Sequence, residues 1–323
     1  MSKPILIVED LTVYYYTLKG IVRAVEEASL KAYSSDLVAL VGESGSGKST
    51  LGYALLNLVP PPGRIVKGRV IVNGVDVLSL RGDELRKARG SLISMVFQDP
   101  FTTLDPVRRV GDQILEVLLE HGVPLEEARE RVVEVIRAVG LPERMARAYP
   151  HQLSGGQRQR ISIAAAIALK PRVLVADEPT TALDVIVQKQ IMDLLDDVRK
   201  TTGMAIILIT HDIALAAERA TKIAVMYAGK IVEYGPKDKV IGDPLHPYTK
   251  ALLKSVPDIE SREWPRPIPG TPPDLRKPPS GCRFHPRCPL AMDICKRKSP
   301  NIVEVEPHHY VSCWLYEGGE ASG

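Results

Sequence analysis

Nine residues, Gly42-Glu43-Ser44-Gly45-Ser46-Gly47-Lys48-Ser49-Thr50, constrain this chain more than any other stretch. They stand between the apolar run Leu37-Val38-Ala39-Leu40-Val41 and the segment Leu51-Gly52-Tyr53-Ala54-Leu55-Leu56. The first reads as a buried strand and the second as the start of a helix, which is the setting a phosphate loop requires. Glycines let backbone N–H groups converge on an anion with no Cβ in the way. The helix N-terminus adds partial positive charge at the same spot. Lys48 is spaced to reach β- and γ-phosphates, and the Ser49 hydroxyl to ligate Mg²⁺. A plain strand-to-helix turn with a solvated lysine explains neither the glycine spacing nor the flanks.

The 323 residues exceed one average domain and can bury a sizeable core. The formal net charge is only +3, with no long block of one sign, so nothing argues for nucleic acid. No run of about 18 apolar residues is present to span a bilayer. The opening Met-Ser-Lys-Pro-Ile-Leu-Ile-Val-Glu-Asp meets acids too early for a signal peptide, and a cytosolic protein is expected. All four cysteines follow position 281. Such crowding in a cytosolic chain points to a metal or a cluster rather than to disulfides.

Short apolar alternations over 5–40 and 65–80 read as an antiparallel sheet flanking the phosphate-loop strand. Residues 108–140 read as helical. Ile114, Leu115, Leu118 and Leu119 recur at helical spacing, as do Val132, Val133, Val135 and Ile136, and Gly140 ends the run. Two buried strands, 173–176 and 205–209, bracket a helix whose apolar positions are Ile186, Ile191, Leu194, Leu195 and Val198. Strand, helix, strand in that order predicts a parallel sheet. Prolines crowd 257–280, including Pro257 and Pro265, and predict an extended linker to a cysteine module.

Val173-Leu174-Val175-Ala176-Asp177-Glu178 sets two carboxylates at the C-terminal end of a buried strand, where parallel sheets bind ligands. Asp177 suits a Mg²⁺ shell, and Glu178 suits polarising a water for attack on a γ-phosphate. Leu153-Ser154-Gly155-Gly156-Gln157 opens an apolar helix from Ile161 to Leu169, with Arg158 and Arg160 in its first turns. It is a second helix N-terminus suited to phosphate.

With this loop the chain resembles the ATP-binding-cassette ATPases, over roughly residues 5–235. Leu153 to Gln157 matches the family's signature loop in full. Tyr15 is similar to the aromatic residue that stacks on adenine, with Tyr14 and Tyr16 as rivals. Gln98 resembles the Q-loop glutamine, Asp184 in Ala182-Leu183-Asp184 the D-loop aspartate, and His211 in Thr210-His211-Asp212 the switch histidine. The resemblance implies an α/β fold: a P-loop, RecA-like core, an antiparallel β-subdomain and a helical signature subdomain at about 99–165. The expected boundaries are a cassette over 1–256 and, over 257–323, the linker with a small C-terminal module carrying the cysteines.

The resemblance further implies ATP held by Gly42, Ser44, Gly45, Gly47, Lys48, Ser49 and Thr50. Mg²⁺ would be held by Ser49, Gln98 and Asp177. Catalysis would use Glu178, Gln98 and His211. Two such subunits would face head to tail, so that Ser154, Gly155, Gly156, Gln157 and Asp184 serve the partner's nucleotide. Binding of ATP would close the pair and hydrolysis would loosen it.

Asp243-Pro244-Leu245-His246-Pro247-Tyr248-Thr249-Lys250-Ala251-Leu252 and Gly281-Cys282-Arg283-Phe284-His285-Pro286-Arg287-Cys288-Pro289 resemble the tail of the oligopeptide/dipeptide importer subfamily. The gaps between Cys282, Cys288, Cys295 and Cys313 are 5, 6 and 17 residues. Structural zinc sites use closer pairs, and so do ferredoxin-like runs, so spacing selects neither metal. The subfamily resemblance implies a [4Fe–4S] cluster on these cysteines; Zn²⁺ and unliganded thiols stay open. Arg283, Arg287, Lys296 and Arg297 are expected to offset thiolate charge. His285, His308 and His309 are expected to be solvated or supporting rather than ligands.

The implied role is the ATPase subunit of an importer for di- or oligopeptides, peripheral on the cytoplasmic face of the membrane. Its implied partners are a second, different ATPase subunit, two transmembrane permease subunits and an extracytoplasmic binding protein, with no nucleic acid. An importer for oligosaccharides or nickel chelates is the alternative. A non-transport cassette ATPase is disfavoured, because such chains carry two cassettes or a long coiled-coil insert. Here about fifty residues separate Gln98 from Ser154.

Overall fold

The computed structural model describes residues 3–255 and 267–317, apart from the Phe101 side chain. Pro257 and Pro265 of the expected linker lie outside the described residues, and the described stretch 267–280 has neither helix nor strand. Along the chain run β1 (Leu6–Thr17), β2 (Gly20–Ala32), β3 (Leu37–Val41), α1 (Lys48–Leu55), β4 (Gly63–Val72) and β5 (Val75–Asp76). Next come α2 (Gly82–Ser91), β6 (Ile93–Val96), α3 (Pro100–Thr103), α4 (Val110–Glu120), α5 (Leu125–Ala138) and α6 (Gly155–Ile167). Then follow β7 (Val173–Asp177), α7 (Val185–Thr202), β8 (Ala205–Thr210), α8 (Ile213–Arg219), β9 (Lys222–Tyr227) and β10 (Lys230–Pro236). Last are α9 (Lys237–Gly242), α10 (Pro247–Lys254), β11 (Val303–Glu306) and β12 (His309–Val311).

The described residues form two compact units. The first takes those up to Leu6, Ala32–Asp36 and Ile71–Leu208. The second takes Ile7–Lys31, Leu37–Val70 and those from Ile209 onward.

In the first unit β6 and β7 run parallel, with Val96 opposite Ala176, and β8 lies on the other side of β7. Every residue of β7 and β8 is buried, as a strand covered on both faces requires. The helices α3 to α6 fill the chain between β6 and β7. The expected helical stretch 108–140 is broken between Glu120 and Leu125. Gly122 there takes φ +80°, and Pro124 caps the new helix. Ile114, Leu118, Val132, Val135 and Ile136 are buried as predicted, whereas Leu119 is exposed. In α7, Ile191, Leu194, Leu195 and Val198 face the core. Ile186 does not: it is 72% exposed beside Val185 at 79%, in the first turn after Asp184.

In the second unit β3 pairs parallel with β9, and β9 pairs antiparallel with β10. All five residues of β3 are fully buried. Strands β1, β2 and β4 lie side by side in the order β2-β1-β4. The cysteine-bearing stretch, expected as a module of its own, groups with this unit. Its strand β12 pairs antiparallel with β10, Glu233 opposite Val311 and Tyr234 opposite Tyr310, and β11 adds outside β12. The stretch thus extends a sheet that already exists.

Candidate nucleotide site

The phosphate loop leaves β3 and enters α1 within the second unit. Gly42 has φ +153°, and a Cβ there would stand 2.1 Å from the Met226 carbonyl oxygen. Gly47 has φ +102°, and its Cβ would stand 2.1 Å from the Ala24 carbonyl oxygen. Only glycine fits at either position. Gly47 caps α1 with no side-chain hydrogen bond and no acidic residue in the first turn, which suits the helix N-terminus to an anion. Lys48 is buried, and its Nζ donates to the carbonyls of Gly42 (2.8 Å) and Glu43 (2.9 Å) and to Ser46 Oγ (3.4 Å). The loop's own carbonyls thereby aim the ammonium. Ser44 and Gly45 are exposed at its rim, and Ser49 lies in the first turn of α1.

Tyr15 and its neighbours separate clearly. Tyr14 Oη donates to Glu26 Oε1 at 3.0 Å, and Tyr16 lies beneath the Arg64 guanidinium. Tyr15 points to the loop, its Oη 3.4 Å from Thr50 Oγ1. His211, also of this unit, is exposed just before α8, whose cap Asp212 accepts from Ala214 N and Leu215 N.

The first unit holds the carboxylates. The parallel register of β6 with β7 brings Gln98 and Glu178 to the same sheet edge, each two residues past the pair Val96 and Ala176. There Gln98 Nε2 donates to Glu178 Oε2 at 3.0 Å, and Thr181 Oγ1 donates to the same oxygen at 2.9 Å. Glu178 has φ +44°, a left-handed conformation that costs a non-glycine residue about 1–3 kcal/mol and gathers at functional sites. Asp177 is 1% exposed at the end of β7.

The signature loop is built as a capping box. Ser154 Oγ accepts from Gln157 N at 3.3 Å, and Gln157 Oε1 accepts from Ser154 N at 3.0 Å. A Cβ on Gly156 would stand 2.6 Å from Val187 Cγ1. Asp184 caps α7, accepting from Val187 N at 3.0 Å. Arg158 and Arg160 brace the loop and the helix from the side. Arg158 donates to the carbonyls of Pro150 and Leu153, and Arg160 to the Val139 carbonyl and Gln190.

The four cysteines are free thiols, with Cys295 and Cys313 buried. Burial pushes the Cys282 thiol up to about 11, and the charges of Cys295, Cys313 and Cys288 push it the same way. Burial likewise raises Cys288 and Cys313. The backbone N–H groups of Phe284, Leu290 and Leu315 face the sulfurs of Cys282, Cys288 and Cys313. Among the described residues, no group of three or more His, Cys, Asp or Glu side chains is placed to hold a metal ion. A zinc ion would need its thiolates drawn in to about 2.3 Å from one point.

Three of the four basic residues expected to offset thiolate charge are paired elsewhere. Arg283 binds the Ala228 carbonyl and the Glu26 carboxylate, Arg287 binds Glu43, and Lys296 binds Asp293. Of the two readings of His309, solvated or supporting, burial removes the first. His309 is 1% exposed, with Nε2 2.8 Å from Glu233 Oε1. The fully buried Glu233 carboxylate also accepts from the N–H groups of Leu245 and His246 at 2.8 Å each. Burial lowers His246 to about 4, so its ring stays neutral and Nδ1 accepts from Tyr248 N at 3.0 Å.

The family described as "ABC transporter" matches residues 25–181, and "Oligopeptide/dipeptide transporter, C-terminal region" matches residues 232–295. The oligopeptide transport ATP-binding protein OppD of Bacillus subtilis (strain 168) is 45% identical over 314 residues, 95% of this chain and 88% of that protein. The chain belongs to the ABC transporter family. The dipeptide transport ATP-binding protein DppD of Caldanaerobacter subterraneus is 44% identical over 316 residues, 97% of each chain. Among solved structures, the dimeric ATP-binding cassette MJ0796 bound to ADP and Pi aligns with TM-score 0.62 at 31% identity, over 72% of this chain and 98% of that one. The cassette cbiO1 of Clostridium perfringens aligns with TM-score 0.64 at 29% identity, over 75% and 92%. This ABC ATPase also brings to the candidate site contacts that local reading passed over. Glu43, Tyr248 and Arg287 meet at the phosphate loop, and the signal was a carboxylate set inside a loop meant for an anion.

Proposed function

We propose that this chain binds and hydrolyses ATP to power the import of di- or oligopeptides, working at the cytoplasmic face of the membrane. The observation that carries this reading is the pairing, in one chain, of an ABC cassette with the oligopeptide/dipeptide C-terminal region. Peptide-transport relatives match at about 45% identity across nearly the whole length. Their names favour peptides over oligosaccharides or nickel chelates.

In this reading Tyr15 stacks on adenine, and the loop from Gly42 to Thr50 holds the phosphates. Ser49, Gln98 and Asp177 serve Mg²⁺, Glu178 takes the proton of the attacking water, and His211 contacts the γ-phosphate. Ser154 to Gln157 and Asp184 serve the nucleotide of a second, different ATPase subunit; the exposed pair Val185 and Ile186 supports a partner on that face. Two permease subunits and an extracytoplasmic binding protein complete the machine. Ser154→Arg tests this arrangement. It sets a cation and extra bulk where the partner's γ-phosphate docks. The isolated subunit keeps its ATP affinity, while ATP-driven pairing fails in an analytical-ultracentrifugation assay. Lost affinity with surviving pairing overturns the head-to-tail reading.

The four cysteines are proposed to hold a [4Fe–4S] cluster in a structural role. Supporting this are an all-sulfur donor set and N–H groups aimed at three of the sulfurs. Anaerobically purified protein is expected to be brown, with about four iron and four sulfide per chain. A colourless preparation with stoichiometric zinc removes the cluster.

A further inference from the structure

Glu43 follows the first glycine of the loop. It is a carboxylate one position into a loop built to receive phosphates, and its charge opposes the ligand. Three contacts hold it. Its backbone N–H donates to Tyr248 Oη at 2.9 Å, and its carbonyl accepts from Lys48 Nζ at 2.9 Å. Its carboxylate takes a two-pronged guanidinium: Arg287 Nη1 lies 2.7 Å from Oε2 and Nη2 lies 3.0 Å from Oε1. The Arg287 side chain is only 4% exposed and the Glu43 side chain 25%.

Arg287 is itself anchored. Its Nε donates to the Pro269 carbonyl at 2.8 Å, and Nη1 lies 3.3 Å from Tyr227 Oη. The rings of Tyr227, Tyr248 and Phe284 pack together, Tyr227 and Tyr248 4.6 Å apart and Tyr227 and Phe284 5.1 Å apart. The planar fork of arginine suits this bidentate, stacked position, where lysine offers a single point charge.

We infer that Arg287 and Tyr248 are positioning residues for ATP binding: from the C-terminal region they neutralise and orient Glu43, whose carbonyl in turn aims Lys48. This rests on the reading of Gly42–Thr50 as the nucleotide loop. Without the guanidinium, Glu43 repels the incoming phosphates and its backbone is freed on one side. The region after α10 then reaches the ATPase cycle through a contact with the phosphate loop.

The test uses the full chain and a fluorescent ATP analogue with Mg²⁺. Arg287→Met weakens binding by on the order of tenfold, the size usual for coupled sites. Adding Glu43→Gln to that variant restores most of the loss, because the unpaired charge is gone. The deficit of Arg287→Met also shrinks as salt rises, as repulsion does and loss of packing does not. Arg287→Lys recovers only part. Tyr248→Phe keeps the ring and weakens binding, which gives a second route if Arg287→Met fails to fold. Unchanged affinity in Tyr248→Phe and Arg287→Met overturns the proposal, and so does a deficit that neither salt nor Glu43→Gln relieves. Unchanged affinity in Lys48→Ala overturns instead the reading of the loop itself.

Discussion

Replacing Glu178 by glutamine leaves ATP binding intact and slows hydrolysis by about 10²- to 10⁴-fold, the usual cost of losing a general base. The substitution suits the local geometry. The amide is isosteric with the carboxylate, and its carbonyl oxygen still accepts from Gln98 Nε2 and Thr181 Oγ1. What disappears is the ability to take a proton from water. The backbone at φ +44° is unchanged, because the replacement keeps the same atoms up to Cδ. The variant is expected to hold ATP and stay in the closed pair. Single-turnover hydrolysis by the assembled transporter measures the effect beside an equilibrium titration of ATP. Parental turnover at this site would remove Glu178 from the role.

Lys48→Ala has the opposite signature: affinity itself falls. The Nζ stands over the loop on the carbonyls of Gly42 and Glu43, so its charge meets the phosphates already oriented. Removing charge-assisted hydrogen bonds costs about 2–4 kcal/mol, or about 30- to 1,000-fold in Kd. The empty protein loses something as well, since the two carbonyls give up their shared donor. A titration of the isolated subunit with Mg·ATP reads the change directly. Equal affinity in the variant and its parent sinks the assignment. Glu178→Gln with intact binding and Lys48→Ala without it separate a group that acts on the attacking water from one that holds the phosphates.

The motifs of the candidate site were legible along the chain because each is local. A glycine loop between a buried strand and a helix carries its own geometry, and so does a pair of carboxylates ending a strand. A helix that opens on Ser-Gly-Gly-Gln writes its capping box into four consecutive residues, and the structure forms that box at Ser154 and Gln157. The fully buried strands β3, β7 and β8 were likewise readable, since a continuous apolar run admits few other fates at that length.

What local pattern could not say is which distant groups meet. Arg287 and Arg283 stand beside cysteines in the chain and read as partners for thiolates. In the fold they reach Glu43, 244 positions away, and Glu26, 257 positions away. His309 read as solvated or supporting, and β12 carries it against Glu233 into the interior. Ile186 fitted a buried stripe, yet it lies in the turn after Asp184, where α7 has no neighbour over that face among the described residues. Periodicity reports how an element presents its faces. Which face is covered, and by what charge, depends on chain closures hundreds of residues long, and only the assembled sheet with its added C-terminal strands decides them.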